Sequence, residues 1–311
     1  VGIAGVVVAN HQNIPGWVAA AVLPAIALEA TFYAATGFGA VRERLAAIPP
    51  KYLAVVLVKT ALAPWFLYSA GTGNLDLRSF LVLLVLTAAV AYWYVVLPPT
   101  VVTDLSLLIL LVGVTLSKVF KETYATPYPK VALDFLGKLM LIRMAVLVML
   151  VLRKAEGVNY GFWPTRQEWR VGIEYYLKFL PFGVALGYAM GYIRIVMPPQ
   201  PVWQLPLIAA GTFLGILWVV ALSEEFLFRG LLLPWLEELL DSPLSALTIS
   251  SICFGLVHLP FRGPWNWKHA ALTTVLGWFC GQAYQETKGI RAPMVTHALV
   301  VVTWFLVFGK S

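Results

Sequence analysis

Apolar blocks bounded by Pro, Gly and charged residues follow one another along nearly the whole chain. A hydrocarbon core of about 30 Å is crossed by about 20 helical residues, and the blocks read as helices on that scale. The candidate spans are Trp17–Ala35, Leu53–Ser69, Phe80–Leu97, Val101–Phe120, Leu136–Leu152, Val171–Val196, Leu207–Leu240, Leu244–Leu259, His269–Glu286 and Pro293–Phe308. The pattern predicts an all-α, polytopic membrane protein with about ten transmembrane helices. Local residues mark several boundaries. Thr165-Arg-Gln-Glu168, after Pro164, fits a capping box that opens a helix. Ser242-Pro243 reads as an N-cap followed by a first-turn proline. Gly289 suits the left-handed position after His269–Glu286. Residues 1–9 are apolar but too short to span, and read as a clipped or peripheral terminus rather than a signal peptide.

Composition agrees with the pattern. With 60% hydrophobic and 12% charged residues and a mean hydropathy of +0.82, an average soluble globule is excluded. The net charge of +7 is spread over loops and helix ends, as in a protein partnered by membrane lipids, and calls for no nucleic acid. Cys253 and Cys280 fall inside predicted spans and read as small buried hydrophobes. Orientation stays open, because the basic loops nearly cancel. Arg42, Arg44 and Lys51, with Arg153, Lys154, Arg166 and Arg170, oppose Lys118, Lys121, Lys130 and Lys138. The polar stretch 153–170 divides the chain into residues 1–152, N-terminal helices of unknown role, and residues 153–311, which carry every chemical motif. Glu29, Lys59 and Arg143 lie inside N-terminal spans and are expected to pair with one another. Trp163, Trp169, Tyr175, Tyr176, Trp265 and Trp267 fit an interfacial aromatic belt. Glu237, Glu238 and Asp241 mark a solvated helix end, His269 an interfacial helix start, and His11 is terminal. Nothing in the sequence sets the oligomeric state.

The densest chemistry lies at Ser223–Gly230, Ser-Glu-Glu-Phe-Leu-Phe-Arg-Gly, directly after the apolar run Leu207–Leu222. A charge at the bilayer centre costs about 2.5–3.5 kcal/mol on insertion scales, so ionisable residues there point to function. Glu225 and Arg229 stand at i and i+4, where a carboxylate N-terminal to a cation pairs well. Glu224 is rotated by about 100° and has no such partner in its own turn. His258 and His297 lie in later apolar segments, and Phe254 stands one turn before His258 on the same face. Amide hydrolysis requires activated water, a stabilised oxyanion and a proton for the leaving amine. Glu224, with its pKa raised by desolvation, suits the general base. His258 suits holding the water and shuttling the proton, and His297 suits donating to the oxyanion. Arg229 would neutralise Glu225, and Phe254 would wall the pocket.

The three motifs, Glu224-Glu225-x-x-x-Arg229, Phe254-x-x-x-His258 and His297-x-x-x-Val301, follow in order with catalytic positions 34 and 39 residues apart. They resemble the CAAX-protease and bacteriocin-processing family of glutamic-type intramembrane endopeptidases, related to the type II CAAX prenyl endopeptidases. The likeness covers roughly Val171–Phe308, including Ala292-Pro293 before the third motif. It implies an intramembrane protease core in the C-terminal helices that acts on a membrane-anchored or lipidated protein without a cofactor. It also implies Glu224 as base, His258 at the water, and His297 with an Asn/Asp one turn later as the oxyanion hole. Val301 stands where that Asn/Asp belongs, and valine donates nothing. Asn266, Trp265, Trp267 and Thr296 are the candidate substitutes. Two rival expectations remain. One is a zinc metalloprotease with Glu224, His258 and His297 as ligands, although no His-Glu-x-x-His is present. The other is a non-catalytic immunity or scaffold protein of the same fold.

Overall fold

The computed structural model describes residues 13–129, 131–196, 200–261 and 263–310. His11, Lys130 and the apolar residues 1–9 lie outside them. The chain forms two compact units, Val1–Glu156 and Gly157–Ser311.

The first unit is helical: α1 (Gly16–Ala35), α2 (Gly39–Ala46), α3 (Pro50–Thr72), α4 (Leu77–Val96), α5 (Val101–Leu116), α6 (Val119–Thr123) and α7 (Asp134–Leu152). The last five residues of α7 widen into a π-helix. Its deepest polar feature joins three helices. Arg143 donates to both carboxylate oxygens of Glu29, at 2.7 and 3.2 Å, and to the Thr60 carbonyl at 2.8 Å. Both charged side chains are 1% exposed. The sequence places Lys59 in the same set, but its side chain is exposed. Its neighbour Thr60 supplies the contact through the backbone. A second pair joins Arg153 to Asp104 at 2.9 Å, with the Tyr94 hydroxyl donating to the same carboxylate at 2.6 Å.

The second unit contains α8 (Arg166–Ala189), β1 (Ile193–Ile195), α9 (Val202–Leu240), α10 (Pro243–Leu256), α11 (Trp267–Thr287), α12 (Arg291–Val307) and β2 (Phe308–Lys310). The capping box at Thr165 and Glu168 is formed in both directions and starts α8. Ser242 caps α10 ahead of Pro243. α11 ends on Lys288, which takes the left-handed conformation at φ 50°. The expected Gly289 does not hold that position, because the turn closes one residue earlier. The window Val171–Val196 is also corrected. Its helix stops at Ala189, and Gly191, at φ 57°, turns the chain into β1. β1 and β2 form an antiparallel ribbon, and among the described residues of the unit these two three-residue strands are the only ones.

All ten apolar windows fall on helices, but among the described residues five helices have the length and apolarity to cross a membrane. These are α1, α3, α4, α7 and α9. α5, α10 and α12 are apolar but shorter. α9 is a 39-residue rod, roughly 58 Å at the α-helical rise and so nearly twice the hydrocarbon thickness. Two stretches within it, Ile216–Ala221 and Phe226–Leu232, are π-helical, and they flank a single α-helical turn, Leu222–Glu225. π-turns inside α-helices recur at functional sites. Here they bracket the two adjacent glutamates.

Candidate active site

Three elements meet around Glu224: the middle of α9, the C-terminal end of α10, and the first turns of α12. α10 is held against α11, and α12 against α8. Small residues permit these approaches. A side chain at Gly172 of α8 would collide with Val295 and the Ala292 carbonyl, whereas the glycine lets its own carbonyl accept the Thr296 hydroxyl at 2.8 Å. That contact anchors the turn of α12 that carries His297.

Glu225 is fully buried and bridges two partners. Its Oε1 lies 2.8 Å from His297 Nδ1, and its Oε2 lies 2.9 Å from Arg229 Nη1. The arginine contact falls off the hydrogen-bond axis, leaving both atoms without an aligned partner, so charge rather than an aligned hydrogen bond holds it. Arg229 donates instead from Nη2 to the Gly277 carbonyl at 2.8 Å. Gly277 has no side chain to block that guanidinium. The same group lies 4.4 Å over the Phe254 ring, within cation–π range.

Phe254 is completely buried and is the hub of the site. Its ring centre lies 4.8 Å from that of His258, 5.8 Å from that of His297 and 5.1 Å from that of Phe228. His258 lies in the turn just past α10 rather than within the helix, as α10 ends at Leu256. Its Nδ1 is 2.7 Å from the Phe254 carbonyl. A carbonyl only accepts, so Nδ1 carries the proton and Nε2 is directed at Glu224.

Both histidine Nε2 atoms converge on one atom. Glu224 Oε2 is 3.6 Å from Nε2 of His258 and 3.9 Å from Nε2 of His297. That oxygen is buried and makes no hydrogen bond to the protein. The Glu224 side chain as a whole is 27% exposed. Ser223, next to it, turns its hydroxyl back onto the Val219 and Val220 carbonyls and takes no part in the cluster.

Val301 is half-buried one turn beyond His297. None of the candidate substitutes is directed at the pair. Thr296 is committed to Gly172. Asn266 caps α11, accepting from the His269 amide and donating to the Phe261 carbonyl. Trp265 and Trp267 are exposed. Two further residues escape sequence reasoning. His269, expected to be interfacial, has its ring 5.7 Å from that of His258 and stacks on Phe261. Tyr176, expected in the aromatic belt, packs against the Phe254 cluster and pairs through its hydroxyl with Thr303 at 2.8 Å. The free thiol of Cys280 is fully buried in that cluster, and Cys253 is half-buried.

Residues 206–303 match the family described as type II CAAX prenyl endopeptidase Rce1-like. No curated protein and no solved structure matches the chain. The matched segment contains Glu224, Glu225, Arg229, Phe254, His258, His297 and Val301, and so spans the whole cluster. Over residues 206–303 the chain is similar to the type II CAAX prenyl endopeptidases, and its long apolar helices make it a multi-pass integral membrane protein.

Proposed function

We propose that this protein is a glutamic-type intramembrane endopeptidase that hydrolyses a peptide bond of a membrane-anchored or lipidated protein. The observation that carries the proposal is the buried Oε2 of Glu224, without a protein hydrogen bond and faced by two imidazole nitrogens. A water at that point would give one proton to Glu224 and direct the other toward Nε2 of His258. Glu224 takes the proton as the oxygen attacks the carbonyl, then returns it to the leaving amine with His258 beside it.

His297 completes the charge balance. With its Nδ1–H on Glu225, its Nε2 can donate to an oxyanion only when the ring is an imidazolium. Glu224 and Glu225 ionised, with Arg229 and His297 cationic, sum to zero, so the buried cluster carries no uncompensated charge. When Glu224 is protonated in the tetrahedral intermediate, the new oxyanion restores the balance. Oxyanion stabilisation by donors fixed in advance is commonly the largest catalytic contribution.

The zinc reading requires three donors arranged around one ion. Glu224, His258 and His297 are the donors it would use, and dependence of activity on the ion is what separates it from the glutamic reading. The test uses purified protein in lipid nanodiscs with S-prenyl-cysteine peptides and unprenylated, membrane-anchored peptides. We expect cleavage in the presence of strong chelators, with one oxygen from labelled water in each new carboxylate. No cleavage of any such peptide, or one zinc per chain with activity lost on chelation and regained on its return, would overturn the proposal.

A further inference from the structure

We propose that the β1–β2 ribbon is the substrate dock, adding an extended peptide segment as a third strand on the free edge of β1; the inference rests on the endopeptidase reading. In the register, Ile193 faces Lys310, Arg194 faces Gly309 and Ile195 faces Phe308. One step further, the Val196 amide donates to the Val307 carbonyl at 3.0 Å. Hydrogen-bonded pairs alternate along an antiparallel ladder, so Arg194 and Val196 bond toward β2. The amides and carbonyls of Ile193 and Ile195 therefore point away from it. An open sheet edge is not tolerated in hydrocarbon, so this edge lies at the water interface or takes a partner.

The edge leads to the catalytic cluster. Tyr192, the residue before β1, has its ring 5.9 Å from that of His269. His269 is 5.7 Å from His258, and His258 Nε2 is 3.6 Å from Glu224. Those steps add up to roughly 15 Å, which about five extended residues cover at 3.3 Å each. A protease site also needs its substrate extended, because helical backbone hides the carbonyl to be attacked.

The side chains define the occupant. Ile193 is buried under α8 at Gly187 and anchors the strand. Ile195 is 65% exposed and Arg194 is exposed on the opposite face. The edge therefore offers backbone pairing, an apolar contact and a cation. Its complement is an extended peptide of a membrane-anchored protein that bears an apolar side chain and a carboxylate.

Two readouts test the dock. In the first, wild-type protein cleaves S-prenyl-cysteine peptides N-methylated at single positions. Strand addition predicts that methylation at alternate residues raises KM about 3- to 10-fold, the worth of one hydrogen bond, with little effect between them. Arg194→Glu should raise KM for the peptide acid and not for its amide. In the second, p-benzoylphenylalanine replaces Ile195 in a Glu224→Gln background and is irradiated with the same peptide. An adduct competed by unlabelled peptide is expected. Cleavage without alternation and without an adduct would overturn the dock while leaving the peptidase reading intact. An adduct with a second copy of this chain would also overturn it. If wild-type protein cleaves nothing, the peptidase reading fails and the adduct alone decides whether the edge binds peptide.

Discussion

Each unit buries a glutamate against an arginine, and the two sites differ in what is left over. In the N-terminal unit Arg143 grips both oxygens of Glu29 and the Thr60 carbonyl, so the pair is closed. In the C-terminal unit Glu225 is divided between Arg229 and His297, and a second carboxylate stands beside it with an unbonded oxygen between two histidines. The first arrangement commits both carboxylate oxygens to one guanidinium and leaves no group to react. The second keeps one acid and two imidazole nitrogens uncommitted. A buried ion pair alone is therefore weak grounds for function in this protein. A buried ion pair with an extra carboxylate and two aimed histidines is strong grounds.

Substitutions should separate the two sites. Removing one partner of a buried pair costs about 3–5 kcal/mol, mostly by stranding the other charge. Glu29→Gln should therefore lower stability by about that much while leaving kcat of the folded protein unchanged, as measured by denaturation in detergent alongside peptide cleavage. A loss of kcat without a loss of stability would show that the N-terminal pair takes part in chemistry.

Glu225→Gln should show both effects. It strands Arg229, which costs stability on the same scale, and it removes the carboxylate oxygen that fixes the His297 ring at 2.8 Å. We expect the Tm to fall and kcat to drop about 10²–10³-fold, the worth of one oxyanion donor. Cleavage at the wild-type rate in the fraction that remains folded would mean that His297 works without Glu225.

A gain-of-function change is expected to be smaller. Val301→Asn puts a donor one turn from His297, and we expect a kcat raised by up to about 10²-fold with KM little changed, since the contact forms chiefly in the transition state. No gain, combined with a large loss in His297→Ala, would indicate an oxyanion site already complete without residue 301.

The contrast between the sites was only partly legible in the sequence. Spacing within one helix was enough to pair Glu225 with Arg229 and to leave Glu224 apart, because i and i+4 positions share a face. Thr165-x-x-Glu168 and Ser242-Pro243 were legible for a similar reason, since caps are local. Contacts between helices were not. The His297–Glu225 bond spans 72 residues and the Arg229–Gly277 bond 48, and neither leaves a trace in hydrophobic pattern. The π-turns around Glu224 have no compositional signature, and β1 is shorter than any periodicity window. Lys288 took the left-handed turn beside a glycine that suited it better. Lys59 shows the opposite limit: a charge inside an apolar block suggests a pairing partner, whereas its side chain is exposed and the neighbouring backbone makes the contact.

The most direct measurement is single-turnover cleavage by Glu224→Gln beside wild type, with the Tm of each recorded in the same lipid. Gln keeps the shape of the side chain and removes the base, and the side chain is partly exposed, with its two imidazole neighbours beyond hydrogen-bond length at 3.6 and 3.9 Å. We expect the rate to fall by about 10²–10⁴-fold, the range for a positioned general base, with the Tm unchanged. Cleavage at the wild-type rate would contradict Glu224 as the base. Activity and fold lost together would place Glu224 with Glu29, among the residues that hold the protein together.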